Sequence, residues 1–108
     1  MTEKVIRDGK VAVLISPGFG AGWSTWAGDE YREIALFHPR FVEAHEAGVD
    51  LGDIDAVIAA VTGKDEAFYS GGWRDIEIVW LDQGTRFLVE DYDGSESLRL
   101  VDDLTIVA

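Results

Sequence analysis

The chain has 108 residues, with 21 Asp and Glu against 9 Lys and Arg, and a formal net charge of −12. Its length fits one domain spanning residues 1–108, and 47% hydrophobic residues with 11% aromatics are enough for a packed core, which excludes a disordered chain. The scarcity of cations excludes direct binding to nucleic acid or anionic membranes, and the lack of cysteine excludes disulfides, thiolate nucleophiles and zinc–thiolate sites.

Met1 to Lys4 lead only into the brief apolar run Val11 to Ile15, with no signal-peptide pattern and no membrane span, so cytoplasmic residence is the simplest expectation. Next comes Asp8-Gly9, a dipeptide suited to the positive φ angles of a two-residue hairpin turn. It predicts strands near residues 4–7 and 10–16. Val11, Val13 and Ile15 share one face of the second strand and Ala12 and Leu14 the other, so a central strand is expected. Pro17 ends its ladder, having no N–H to donate.

Three short helices follow. "GDEYREIALF" opens with acidic residues suited to a helix N-terminus and carries Tyr31, Ile34 and Ala35 at helical spacing. "HPRFVEAHEAG" places Pro39 in a first turn, turns Phe41, Val42 and Ala44 inward and stops at Gly48. "GDIDAVIAAVTG" predicts a third helix capped by Asp53, with Ile54, Val57, Ile58 and Val61 on one side and Gly63 at its end. From residue 76 the period becomes two. "IEIVWL", "RFLVEDY" and "LRLV" are separated by the turn signals "DQGT" and "DGSES", and "LTIVA" follows. The expected class is α+β: an antiparallel sheet, made of an N-terminal hairpin and a C-terminal meander, with two or three short helices on one face.

The stretch "ISPGFGAGWSTW" carries most of the functional argument. It misses each phosphate or nucleophile motif: the P-loop lysine position is Trp23, the dinucleotide fingerprint lacks glycine at 23, and a nucleophile elbow at Ser24 lacks glycine at 26. What remains is a recognition loop. Glycines 18, 20 and 22 permit close approach, Phe19, Trp23 and Trp26 offer aromatic faces, and Ser24 and Thr25 add hydroxyls. The candidate binding set is Phe19, Gly20, Gly22, Trp23, Ser24, Thr25 and Trp26, with Arg74 from "YSGGWRD" as a cation to meet an anion. An architectural reading of the same loop folds both tryptophans into the core.

Weaker patterns yield no metal or catalytic assignment. His38 and His45 are seven apart, but Pro39 interrupts the helix between them, and a cap plus an exposed histidine explains them. Asp91, Asp93 and Ser95 begin like a calcium loop, yet its sixth position is Glu96 where glycine is required, so a turn at Asp93-Gly94 accounts for them.

The segments "VAVLISPGFGAGWSTW", "GGWRDIEIVWL" and "FLVEDYDGSESL", together about half the chain, resemble a group of small uncharacterised bacteriophage and prophage proteins. The resemblance implies a phage gene product in the host bacterial cytoplasm, with no activity to carry over. In that setting the leading expectation is a non-enzymatic accessory protein that binds and inhibits a host protein, such as a defence component, through the loop and an acidic surface. The alternative is a nucleotide sponge: a tryptophan stacks the base, while Ser24, Thr25, backbone N–H groups and Arg74 meet the phosphates. Twelve aromatics in so short a chain also suggest a homodimer.

Overall fold

The computed structural model describes residues 3–100 and 106–108. Asp8 and Gly9 both adopt positive φ, 52° and 76°, and close a two-residue turn between β1 (Ile6–Arg7) and β2 (Lys10–Ile15). β3 (Glu77–Asp82) pairs with the other side of β2, giving an antiparallel sheet of order β1-β2-β3. β2 is therefore central, as its two apolar faces require, and Val11 to Leu14 are fully buried.

α1 (Arg32–Phe37), α2 (Pro39–Glu46) and α3 (Leu51–Thr62) occupy the middle of the chain. Pro39 sits at the start of α2, where its missing N–H costs nothing, and the His38 ring accepts the Arg40 backbone N–H at 3.1 Å as the cap. Gly63 ends α3 in the left-handed conformation (φ 73°). The residue that caps α3 differs from expectation. Asp50 occupies the cap position without a side-chain bond, and Asp53 lies inside the first turn, where its charge still suits the helix dipole.

The later strands differ more. β4 (Arg86–Tyr92) and β5 (Ser95–Leu100) form the expected hairpin around Asp93-Gly94, and β6 (Ile106–Val107) pairs with the far side of β4. β3 does not pair with β4. The chain instead steps from one sheet to another at the "DQGT" turn: the Gln83 N–H donates to the Gly9 carbonyl of the first sheet, and the next residue, Gly84, donates to Ala108 beside the second. The meander is thus split between two three-stranded sheets, within an architecture that is α+β as expected.

The split follows from apolar residues on both faces of the first sheet. Ala12 and Leu14 pack with Ile54, Ile58, Phe41 and Val42 under the helices, joined by half-buried Ile78 and Trp80. Val11, Val13 and Ile15 pack with Phe37 and Phe87 beneath the second sheet, joined by half-buried Val79 and Leu81. α2 and α3 cover one face while the second sheet covers the other. One continuous sheet would have left the second face in water.

Candidate functional site

Beyond β2 the chain enters the glycine-aromatic loop, and the tip of the β4–β5 hairpin holds it in place. The Gly20 N–H donates to the Asp93 carbonyl (2.7 Å), and the Ser95 hydroxyl donates to the Pro17 carbonyl (2.6 Å). Three glycines allow close packing around the loop. A Cβ on Gly94 would fall on the Ala21 backbone, one on Gly72 on the Gly22 carbonyl, and one on Gly18 inside the Asp75 side chain.

At the centre lies Glu96, 1% exposed. One of its oxygens accepts the Ser16 backbone N–H at 2.9 Å. The other accepts the Trp23 N–H (2.8 Å), the Thr25 N–H (3.0 Å) and the Thr25 hydroxyl (2.6 Å). A buried carboxylate is tolerated only when its lone pairs are matched in this way, and bonds to an ionised acceptor are the stronger kind. The loop does form a nest of donors for an anion. The chain supplies that anion itself.

This geometry sorts the predicted binding residues. Trp23 is fully buried, and its indole N–H donates to the Ala35 carbonyl at 2.6 Å. Its ring meets Phe41 (5.2 Å), Phe68 (5.1 Å) and Trp73 (5.4 Å), so the tryptophans of the two glycine-aromatic loops join in the core. Trp23 is therefore a packing residue, contrary to its expected role in contact. Gly22 and Ser24 are buried too, the Ser24 hydroxyl without a hydrogen-bond partner among the described residues. Thr25 is spent on Glu96. Arg74 is exposed; it lines a cleft with His45, Asp50 and Leu51, and its guanidinium lies 4.0 Å from Asp75, whose side chain packs against Gly18 of the loop. Of the phosphate donors in the sponge reading, the Thr25 hydroxyl and N–H are held by Glu96 and Ser24 is buried, while Arg74 stays exposed.

Phe19, Gly20 and Trp26 remain on the surface. Trp26 stacks on Tyr69 at 5.8 Å, and its N–H donates to Asp91 at 2.9 Å. Phe19 precedes Gly20, which is bonded to Asp93, the neighbour of Tyr92. Phe19, Trp26 and Tyr69 are 69%, 41% and 58% exposed, and the Trp26–Tyr69 stack lies beside Asp91; Tyr92, 74% exposed, follows Asp91 in β4 and so points to the other face of that strand. The binding set read from the sequence left out Tyr69, Asp91 and above all Glu96.

The two histidines serve structure. His38 caps α2, and His45, half-buried, sets its ring edge against Trp73 at 6.2 Å. Among the described residues no group of three or more His, Asp and Glu side chains could hold a metal ion, and no helix is long and apolar enough to cross a membrane.

No family model matches this chain, and none of the curated proteins or solved structures compared with it matches either.

Proposed function

We propose that this is a non-enzymatic binding protein that engages a basic protein surface through its exposed aromatic end. The observation that carries the reading is the exposed Trp26–Tyr69 stack bonded to Asp91, with exposed Phe19 on the same loop as Trp26, a loop that buried Glu96 ties down by hydrogen bonds. Large aromatics on a preorganised backbone lose little entropy on contact, and acidic neighbours steer a cationic partner towards them. In the phage setting that the resemblance implies, the partner is a host cytoplasmic protein whose action the contact blocks.

The test is a tagged pull-down from host lysate with wild type, Trp26→Ala and Phe19→Ala, with thermal melting of the same proteins. The expected result is a partner retained by wild type and lost by both variants, with melting little changed. Retention of the partner by both variants would remove the aromatic end from the function. The same exposed rings would also serve to pair two copies of the chain. Sedimentation of wild type against Trp26→Ala separates the readings, because only self-pairing yields a dimer that the substitution dissolves.

A further inference from the structure

The exposed aromatic stack is built into the surface. The Trp26 indole comes against Gly22 and the Tyr69 ring against Gly71, each so closely that a Cβ on the glycine would collide with it. Asp91 holds the Trp26 N–H, and the two rings lie 30° from parallel. Side chains on a surface ordinarily keep their rotamer freedom and lose it only on contact. These two have given it up already.

Tyr69 is also a wall of a cleft of about 370 Å³, together with Asp55, Glu66, Phe68 and Ser70. Asp55 comes from α3 and the other four from the segment after it. Phe68 is nearly buried and packs edge-on against Trp23, so the base of the cleft belongs to the core. Asp55 and Glu66 are exposed, and among the described residues neither takes part in an ion pair. None of the residues lining the cleft is cationic. Carboxylates are plentiful on this chain. What sets these two apart is an aromatic ring fixed in the same cleft.

The backbone at Glu66 is held at φ 54°, the left-handed region that glycine enters at less cost. Nothing in the turn calls for glutamate there, and a glycine would relax it.

We infer that this cleft receives the guanidinium of an arginine side chain on the basic partner, a step that rests on the binding reading above. The planar cation lies along the Tyr69 ring, and its N–H fork reaches Asp55 and Glu66. Lysine fits less well, because a compact, strongly hydrated ammonium neither stacks as a plane nor presents a fork. A phosphate would be repelled by both carboxylates, which separates this cleft from the sponge reading. Tyr69 belongs to cleft and stack alike, so the arginine and the surface that meets Trp26 form one continuous contact.

The probe is acetyl-arginine methylamide, with the lysine and citrulline equivalents as controls, citrulline having nearly the same shape without the charge. Each is titrated into the isotope-labelled protein and followed by NMR. The arginine compound should move the Asp55, Glu66, Tyr69 and Ser70 amides along one saturable curve. It should bind about fivefold or more tightly than the lysine compound, and the citrulline compound should leave those amides unmoved. Asp55→Asn and Tyr69→Ala should each weaken arginine about threefold or more. Glu66→Gly should do the same yet melt no lower than wild type, since it removes a carboxylate and relaxes the backbone. Shifts spread evenly over the exposed carboxylates, equal binding of either control, or full affinity in Glu66→Gly would each overturn the proposal. The pull-down with Glu66→Gly added separates this site from the wider reading. A partner lost by Trp26→Ala but fully retained by Glu66→Gly leaves the aromatic contact standing and removes the arginine site. Arginine bound in the cleft, with no partner retained by wild type, supports the cleft and removes the wider reading.

Discussion

Glu96 shows why a residue can matter without being visible as a motif. Its carboxylate gathers four donors from a segment 71 to 80 positions away, and all four were available in principle to a ligand. Glu96→Gln keeps the size of the side chain but replaces one acceptor oxygen with an amide that itself donates, turned towards N–H groups. Leaving part of such a buried network unmatched costs about 3 kcal/mol, which lowers Tm by roughly 12–20 °C in a domain of this size. Thermal denaturation of the variant checks this. Trp23→Ala should be at least as damaging, about 3–5 kcal/mol, because a fully buried ring and its bond to Ala35 are lost together. Trp26→Ala, on the surface, should change stability by about 1 kcal/mol or less. The sequence does contain a sign of Glu96. In "SESLRL" it shares its alternation with Leu98 and Leu100, so it is an acid on the apolar side of a strand, and a buried acid must find partners. What the sequence does not contain is the identity of those partners, which only the meeting of two distant turns determines.

At the scale of elements, local signals located most boundaries. Asp8-Gly9, Asp93-Gly94, Pro39 and Gly63 each act within a few residues, and each turn, start or stop falls where its chemistry requires. Strand pairing was less legible. Alternation in "IEIVWL" tells which side chains share a face but not which strand lies alongside, so the "DQGT" reversal reads like a hairpin although it joins two sheets. Helix α2 adds a pH dependence. Burial holds the His38 imidazole below its ordinary value, with Arg40 pushing the same way against Glu3 and Glu43. The folded state therefore favours the neutral ring. Its contribution to stability is present above the unfolded value of about 6.5 and is lost as pH falls through the lower folded value. Protonation also removes the lone pair that accepts the Arg40 N–H. Wild type should melt lower at pH 5 than at pH 7.5. His38→Asn, which can cap without titrating, should show a smaller difference. The Arg7–Glu46 pair, which depresses the Glu46 value through its hydrogen bond, acts in a more acidic window, below the ordinary glutamate value of 4.5.

Over the whole molecule, charge and architecture pull in different directions. Twelve excess negative charges repel one another across a small surface, so added salt should raise Tm as it screens them. Salt should weaken association with a basic partner over the same range, mainly through a slower association rate. Measuring melting and binding from 50 to 500 mM NaCl tests both, and an affinity indifferent to salt would place the contact in the desolvated aromatics alone. The candidate loop was legible as unusual, because glycines and tryptophans rarely crowd together without a reason. Its division into a buried half and an exposed half was not. Trp23 and Trp26 are three residues apart in the same composition, and only the positions of Phe41, Phe68 and Trp73 decide which one is covered.

The hold of Glu96 on the loop also has a bearing on the order of folding. Ser16, Trp23 and Thr25 emerge early in synthesis, but their acceptor arrives some seventy to eighty residues later, on a strand that must first form its own hairpin. Until β5 docks, the loop N–H groups lack their acceptor, while the β1–β2 turn and the helices can form from local contacts. Our hypothesis is that these side-chain bonds close after the rate-limiting step, a low-φ position in the transition state. Glu96→Gln should accordingly leave the refolding rate nearly unchanged and accelerate unfolding by about a hundredfold, the factor that corresponds to about 3 kcal/mol. The buried carboxylate would then act as a latch, setting how long the native state lasts more than how quickly it is reached.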